Sequence, residues 1–200
     1  MTENGQKRGY AKGIARKRAI IEEASRLFAE RGYSSGSTRE IAARVGLTQS
    51  GMLHHFSHKE ELLTEVLRLR DEDRDAAFEA ENARGLREQL AATARLDESE
   101  AGLTSLFTVL SAEAIAEDHP AHQFFASRYR DVLEGGVHGI KEAQGKGEIS
   151  ADLDPNLAAR LIIAVLDGAL LQPAYLADTK PSELTDLLWA LFRGDFSADS

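Results

Sequence analysis

The chain has 200 residues, of which 42% are hydrophobic, and its formal net charge at pH 7 is −9. This length is sufficient for one or two small domains with their own hydrophobic cores. Because there is no cysteine, structural disulfides and thiolate metal sites are excluded.

The two parts of the chain carry opposite charge. Residues 1–59 contain 11 Lys and Arg against 5 Asp and Glu, a net charge of +6, whereas residues 60–200 have a net charge of −15. A basic N-terminal part on an acidic body is typical of a DNA-binding domain joined to a domain that does not bind DNA. The alternative is a solvated charge imbalance without a partner.

Apolar residues at helical spacing predict a first helix that ends at Gly32. The basic residues before this stripe predict an N-terminal arm over residues 1–13 that is flexible without DNA and adds phosphate or minor-groove contacts. The apolar stripe consists of Ile20, Ile21, Ala24, Leu27 and Phe28, and the basic residues are Lys7, Arg8, Lys12, Arg16, Lys17 and Arg18.

Residues 37–59 predict two short helices joined by a tight turn. The first helix begins with a capping-box pattern, in which Ser37 caps the first turn and Glu40 reaches back to it. Gly46 then allows a sharp turn, and Thr48 caps the second helix.

The second helix of this hairpin, predicted at about residues 49–56, has small and hydrogen-bonding residues at its N-terminal end. We expect it to bury Met52 and Phe56. A short helix of this kind fits the major groove of DNA, whereas the alternative is a helical hairpin that only packs. The residues expected to be exposed are Gln49, Ser50, Gly51, Leu53 and His54.

Residues 17–67 resemble the N-terminal domain of the TetR/AcrR family of transcriptional regulators. The matching segments are residues 24–33 (ASRLFAERGY), 38–51 (TREIAARVGLTQSG) and 54–63 (HHFSHKEELL). The family usually has tyrosine at position 53, whereas Leu53 of this chain offers only apolar contact, for instance to a thymine methyl. The resemblance implies a helix-turn-helix DNA-binding domain of three helices over residues 14–60, and a helical effector-binding and dimerisation domain over residues 61–200.

The resemblance also implies which side chains meet DNA. Arg39 matches a family position that reaches a base edge, where arginine can bridge guanine O6 and N7. His54 matches a position that faces a base or a sugar, and Gln49 suits adenine or guanine edges. The expected base contacts are Arg39, Gln49, Ser50, Gly51, Leu53 and His54. The expected phosphate contacts are Ser37, Thr38, Thr48, His55 and Lys59, through hydroxyls, imidazole, ammonium and helix N-terminal amides.

From residue 60 onward the pattern is helical throughout, without a run of β-branched residues in alternation with polar ones. Asp154 followed by Pro155 is a strong helix start. The predicted helices span residues 59–84, 86–96, 99–117, 121–144, 155–172 and 181–193. The sequence therefore predicts an all-α fold.

The resemblance implies two roles for this helical body. Its last two helices would pair with those of a second subunit, the alternative being an ordinary core. Its central helices would enclose an apolar pocket for a small-molecule effector, the alternative being packing, and Arg128 is a further polar candidate there. The expected interface residues are Leu161, Val165, Leu184, Leu188 and Leu191. The expected pocket residues are Phe107, Leu110, Glu113, Phe125 and Tyr129.

The sequence argues against metal and enzyme chemistry. His119 and His122 are three residues apart, but Pro120 between them predicts a helix start, so we expect neither a metal site nor a cofactor. No GlyXaaSerXaaGly elbow, phosphate loop or dinucleotide fingerprint is present, so an enzyme is disfavoured. An architectural DNA-binding protein without an effector stays open as an alternative.

Together with the family resemblance, which alone implies the response to a ligand, the sequence predicts a homodimeric, ligand-responsive transcriptional regulator that binds a palindromic operator in double-stranded DNA. Repression that is released by a small molecule is implied by the family resemblance alone. No signal peptide is predicted, and the longest apolar run, residues 161–166, is too short to span a membrane. We therefore expect a cytoplasmic protein without a membrane partner.

Overall fold

The computed structural model describes residues 3–81, 84–176 and 180–194, and over residues 3–12 it describes the backbone alone. Within these ranges the chain is all-α, as predicted, and contains no β-strand. The helices are α1 (Glu3–Arg31), α2 (Thr38–Arg44), α3 (Gln49–Leu53), α4 (Lys59–Ala80), α5 (Leu86–Ser99), α6 (Ala101–Glu113), α7 (His122–Gly145), α8 (Pro155–Leu171) and α9 (Pro181–Arg193).

The chain forms two compact units, Met1–Asp71 and Glu72–Ser200, and the boundary between them falls inside α4. We call them the head and the body. The domain limits predicted from the sequence, with a first domain over residues 14–60, stay a prediction.

Helix α1 is longer than the sequence predicts, because it begins at Glu3 rather than after the expected arm of residues 1–13. This stretch contains no proline, and Lys7, Arg8, Ala11 and Lys12 favour helix, although its three glycines do not. The side chains of Lys7, Arg8 and Lys12, which were assigned to that arm, lie outside the described residues.

The head has its core where the apolar stripes of α1 and α4 face the helical hairpin. Its members are buried to 9% exposure or less, and burial of each large one contributes about 1.5–3 kcal/mol. They are Ile20, Ile21, Ala24, Leu27, Phe28, Ile41, Ala42, Met52, Phe56, Leu62, Leu63, Val66 and Leu67.

The capping box predicted for α2 does not form. The side chain of Ser37 makes no capping hydrogen bond. The Glu40 carboxylate instead accepts hydrogen bonds from Arg31 (2.8 Å) and Arg44 (3.0 Å), and Arg44 also donates to Glu23 of α1 (3.1 Å). These ion pairs attach α2 to α1, and a charged donor attracts the Glu40 carboxylate more strongly than a backbone amide does.

The turn between α2 and α3 follows the prediction. Gly46 has a φ of +69°, a conformation that L side chains rarely adopt. The Thr48 hydroxyl accepts a hydrogen bond from the Gly51 amide at 3.0 Å and so caps α3. Helix α3 ends at Leu53 rather than Phe56, because the His55 amide turns back to the Met52 carbonyl at 2.8 Å.

The loop between α1 and α2 closes tightly on the core. A Cβ atom built on Gly36 would lie 2.5 Å from Cδ1 of Phe28, whose side chain is fully buried. The Tyr33 ring meets the Phe28 ring edge-on, with 5.4 Å between the centroids. The absence of a side chain at Gly36 therefore lets this loop lie against the Phe28 ring.

The body packs α5, α7, α8 and α9 around a second core. Asp154 caps α8 by accepting hydrogen bonds from the amides of Asn156 (2.8 Å) and Leu157 (2.9 Å), and Pro155 opens the helix, as predicted. The buried core residues are Leu86, Leu90, Ile140, Ala143, Ile149, Ala158, Ile162, Leu188, Trp189 and Phe192.

Most helix limits in the body lie within three residues of the predicted ones, and α9 matches its prediction at both ends. The exceptions are α4, which ends at Ala80 instead of residue 84, and α6, which ends at Glu113 instead of residue 117. After α6 the amides of Ile115, Ala116 and His119 each turn back three residues, which replaces the helix by a series of turns.

Helix α8 and the turn after it, Pro155–Ala174, have a mean hydropathy of 1.5. By length and composition this is the single described segment that would pass as a membrane span, a test that core helices of soluble proteins also pass. Ala158, Ala159 and Ile162 of this helix are buried in the body.

Candidate functional site

Most of the predicted base-contacting residues of the hairpin are exposed to solvent. On α2 the side chain of Arg39 is exposed. On α3 and directly after it the exposed residues are Gln49, Ser50, Leu53 and His54, and Leu53 is 54% exposed. Met52 is buried beneath them, so the same short helix supplies both the packing and the exposed groups. The predicted base-contacting residues therefore lie on the solvent side, with Gly51 half-buried between them.

A shallow concave surface lies beside α3, with a volume of about 260 Å³. It brings together four of the predicted DNA-contacting residues, Thr38, Gln49, Leu53 and Lys59. His58, Ser57 and Glu60 also line it, and sequence reasoning did not assign DNA contacts to the last two. Of the other predicted phosphate contacts, Ser37 and Thr48 are exposed and His55 is half-buried.

Lys59 is held inside the head. Its ammonium donates hydrogen bonds to the backbone carbonyls of Tyr33 (2.5 Å) and Ser34 (3.2 Å). It also lies 4.4 Å from the centroid of the Tyr33 ring, and partial burial lowers its pKa. Two of its three N–H groups thus hold the loop after α1, and the phosphate contact predicted for Lys59 stays a prediction.

The Lys59→Ala variant is expected to lower the free energy of unfolding by about 1–3 kcal/mol, because two carbonyls lose a charged donor. Urea unfolding followed by circular dichroism measures this change. The Arg18→Ala variant is the control, since the Arg18 side chain is 62% exposed and pairs with Glu22 at 3.0 Å, a contact worth under about 1 kcal/mol. Unchanged stability with a DNA salt slope reduced by about one would contradict this role in the loop and place Lys59 on a phosphate.

The described part of the basic lead is also engaged within the head. Arg16 donates to the Val45 carbonyl at the end of α2, at 3.0 Å. Lys17 lies 5.3 Å from the centroid of the Phe56 ring, and Arg18 pairs with Glu22 at 3.0 Å. These side chains therefore stabilise helix ends and faces in addition to making this part of the chain basic.

The body contains a small cavity of about 40 Å³, which is lined by polar and apolar side chains of α4, α6, α7 and α8. Of the five predicted pocket residues, Phe107 and Tyr129 line it. Leu110 and Phe125 are buried and Glu113 is exposed, and none of the three lines the cavity. The residues in the lining are Arg74, Phe107, Arg128, Tyr129, Val132, Ile163, Leu166, Asp167 and Leu170.

Charged groups meet at one side of this cavity. The Tyr129 hydroxyl donates to the Asp167 carboxylate at 2.8 Å, and the Arg128 guanidinium lies 5.1 Å from the centroid of the Phe107 ring. Burial raises the pKa of Asp167, against the opposing effects of the Tyr129 hydrogen bond and the nearby Arg128 and Arg74. Burial, followed by the hydrogen bond to Asp167, raises the pKa of Tyr129.

Arg74 connects this cavity to a buried ion pair. It donates to the Asp97 carboxylate of α5 at 2.5 Å, and the two side chains are only 12% and 3% exposed. Sequence reasoning missed Arg74 and Asp167, because neither stands out from the charged residues around it in the chain.

Helices α8 and α9 also carry an exposed apolar stripe. Leu157 and Leu161 of α8 are 68% and 47% exposed, and Leu187 and Leu191 of α9 are 48% and 51% exposed. We call these four residues the leucine stripe. Of the other predicted interface residues, Leu184 and Val165 are half-buried.

Leu188 was also predicted at the interface. It is 5% exposed and packs in the core of the body, so its side chain is unsuited to contact a second subunit.

The two histidines weighed as metal ligands have backbone partners. His119 Nδ1 accepts from the Ala121 amide at 3.1 Å, and His122 Nδ1 lies 2.8 Å from the Ala114 carbonyl. Among the described residues, no group of three or more His, Asp or Glu side chains is placed to hold a metal ion.

Residues 20–66, which contain the hairpin and the adjoining parts of α1 and α4, match the family model described as bacterial regulatory proteins, tetR family. Curated TetR-type regulators and solved TetR-family structures also resemble the chain, and these similarities cover most of the length of the chain. The chain belongs to the TetR family of transcriptional regulators. Its relatives are regulators rather than enzymes.

This TetR-family regulator is 25% identical over 154 residues to the transcriptional regulator UidR of Escherichia coli K12, a match that covers 76% of this chain and 78% of that one. It is 29% identical over 154 residues to the repressor KstR2 of Rhodococcus jostii, covering 74% of each. Its fold resembles that of AibR in complex with isovaleryl coenzyme A and operator DNA, with a TM-score of 0.62 and 22% identity over 89% of this chain and 98% of that one.

Proposed function

We propose that this TetR-family regulator is a homodimeric repressor that leaves a palindromic DNA operator when a small molecule binds to its body. The exposed face of the hairpin, from Arg39 to His54, carries this proposal. It offers the guanidinium of Arg39 on α2, and amide, hydroxyl and imidazole groups on and directly after α3, a helix short enough to enter a major groove. As a DNA-binding regulator, the protein would work in the cytoplasm.

The proposed contacts follow from what each group can donate or accept. Arg39 and Gln49 would read base edges, and Leu53 would meet a thymine methyl. Ser50, Gly51 and His54 complete the proposed base-contacting set, and Ser37, Thr38, Thr48 and His55 would contact phosphates.

Binding to the DNA upstream of the protein's own gene, across a salt series and with random DNA as competitor, tests the proposal. The expected result is tight, salt-sensitive binding of at least two protomers per site that random DNA does not displace. A non-selective, architectural DNA binder would instead show equal affinity for both DNAs. That outcome would overturn the proposed function for this operator and call for selection of sites across the genome.

The Arg39→Ala variant is expected to weaken specific binding by about 1–3 kcal/mol and to relax the preference at one base position, because a bidentate base contact is lost. Competition with operators changed one base at a time measures both effects. Arg68→Ala is the matched control, since Arg68 is 59% exposed on α4 and pairs with Glu65. An unchanged preference at every position would remove Arg39 from base readout.

The leucine stripe supports the homodimer. Helices α8 and α9 are in contact within one chain, and each leaves two leucines half-exposed or more at a spacing of four residues. Paired helices with such a face are suited to a four-helix bundle with the same helices of a second copy. A dimer would present two recognition helices. Binding of both helices to one operator would raise the affinity, and their two-fold symmetry would match a palindromic sequence.

The Leu161→Glu variant is expected to convert the dimer into monomers, because a carboxylate would be buried without a partner at the interface. Light scattering after size-exclusion chromatography gives the mass directly. Val109→Glu is the control, since Val109 is 55% exposed on α6, outside the stripe. A Leu161→Glu protein that keeps the dimer mass at low micromolar concentration would show that the subunits meet elsewhere.

The cavity in the body supports ligand control. Its volume of about 40 Å³ accommodates only a few waters, so an effector would have to displace side chains as it enters. Such a ligand would shift the protein toward a state whose recognition helices no longer match successive grooves, which requires different affinities for the two states. AibR, whose structure holds both isovaleryl coenzyme A and operator DNA, provides a precedent for the two ligands in this fold.

A further inference from the structure

One large apolar side chain lies among the polar groups of the exposed hairpin. Leu53 is 54% exposed, and in the described part of the head Ile14 is the one other large apolar side chain of comparable exposure. We propose that Leu53 makes operator affinity depend on the methyl group at C5 of one pyrimidine, so that 5-methylcytosine is accepted there in place of thymine. Cytosine methylation would then convert a weak site into a stronger one. This inference rests on the proposed function, because it concerns the operator of that regulator.

Leu53 shares a surface with residues that are proposed to contact DNA. Gln49 and Leu53 are four positions apart on α3, so their side chains are neighbours on one side of the helix. Both line the concave surface beside α3, together with Thr38. Met52, the residue before Leu53, is 2% exposed. Met52 therefore supplies the packing of α3, and Leu53 stays accessible to a partner.

The chemistry of leucine restricts what this position can recognise. The Leu53 side chain has neither a donor nor an acceptor, so it cannot distinguish bases by hydrogen bonds. In the major groove, the apolar group that a base pair presents is the C5 methyl of thymine, and 5-methylcytosine has its methyl group at the same ring position. A tyrosine, the usual residue of the family at position 53, would add a hydroxyl that binds polar groups as well.

The spacing on α3 relates this methyl group to the base that Gln49 reads. Helix neighbours four positions apart have Cβ atoms about 5–6 Å from each other, and successive base pairs are about 3.4 Å apart. The pyrimidine that Leu53 contacts is therefore expected about one or two base pairs from the base that Gln49 reads. The Gln49→Ala variant locates the latter base by its relaxed preference.

A single methyl contact has a modest effect that a dimer would double in free energy. Burial of one methyl group against a leucine is expected to raise the affinity of one half-site about fourfold. Because a palindrome presents the same pyrimidine twice, removal of both methyl groups should weaken operator binding about tenfold to twentyfold.

Four versions of the operator that the protein selects test this dependence. They carry thymine, uracil, 5-methylcytosine or cytosine at the same position of both half-sites, and a scan that replaces each thymine by uracil finds that position. We expect thymine to bind about tenfold more tightly than uracil, and 5-methylcytosine about tenfold more tightly than cytosine. Equal affinity for thymine and uracil at every position, or for 5-methylcytosine and cytosine at the position found, would overturn the proposal.

Three variants assign the effect to Leu53. Leu53→Ala should bind the thymine and uracil operators with affinities within about twofold of each other, whereas Leu53→Met keeps an apolar end and should keep most of the preference. Ile14→Ala is the matched control, since Ile14 is also 54% exposed but lies on α1, outside the hairpin, and it should keep the full preference. A preference that persists unchanged in Leu53→Ala would assign the methyl contact to another residue.

The readouts separate this inference from the proposed function. Absence of any selectively bound operator would overturn the proposed function and this inference with it. Selective operator binding without a response to the methyl group would overturn this inference alone. A methyl response that requires Leu53 but lies more than about three base pairs from the Gln49 position would overturn the placement of both contacts on one side of α3.

Discussion

The Asp97→Ala variant is expected to lose about 3–5 kcal/mol of unfolding free energy, the usual result of removing one partner from a buried ion pair. The Asp97 side chain is 3% exposed and that of Arg74 12%, so the remaining guanidinium would have little access to water. Because stability of a whole domain is only about 5–15 kcal/mol, a loss of this size would be visible at ambient temperature.

Urea unfolding followed by far-ultraviolet circular dichroism measures this loss, and the chain offers a close control. Arg87 and Asp186 form a pair of the same chemistry at 2.9 Å, with side chains 46% and 59% exposed. Asp186→Ala should therefore cost under about 1 kcal/mol. Combining Asp97→Leu with Arg74→Met should restore most of the stability, since no charge is then left buried. Equal costs for Asp97→Ala and Asp186→Ala would refute the argument from burial.

The Phe28→Ala variant is expected to destabilise the head by about 3–5 kcal/mol, because it opens a cavity at the centre of its core. The ring is fully buried, meets the Tyr33 ring edge-on, and lies against the loop at Gly36. Loss of the ring would therefore loosen the loop that precedes α2 as well as α1 itself. Operator affinity should fall with the folded fraction of the head.

Denaturant unfolding and operator binding at the same temperature check this second prediction. Ile14→Ala is the control, since Ile14 lies on the same helix but is 54% exposed, and its truncation should change stability by about 0.5 kcal/mol or less. If Phe28→Ala were no more destabilising than Ile14→Ala, the ring could not be the centre of the core.

Sequence reasoning succeeded where the signal is local. The caps at Thr48 and Asp154 involve residues two or three positions apart, and the positive φ of Gly46 is required by the turn itself. The period of the apolar residues likewise gave α9 its two ends. Each of these features is decided within one or two helical turns, so the neighbouring residues contain the necessary information.

The failures share a different cause. Glu40 was expected to cap its own helix but pairs with Arg31 and Arg44, and sequence reasoning did not foresee that Lys59 binds the carbonyls of Tyr33 and Ser34. Apart from Arg44, these partners lie on other helices or loops. A local sequence pattern therefore cannot show whether a side chain will bind such a distant partner or the neighbouring group that the pattern suggests. The same holds for Arg74 and Asp167, which meet at the cavity only after α4 and α8 have packed.

Trp189 gives the body an optical signal of its own. It is the only tryptophan in the chain, and it lies 5% exposed in the core of the body. Its fluorescence therefore reports the unfolding of the body alone, whereas the ellipticity of the helices averages over both units. In Phe28→Ala, an ellipticity transition that moves to lower urea while the tryptophan transition stays in place would mean that the head melts by itself. Coincident transitions would mean that the two units unfold as one cooperative system.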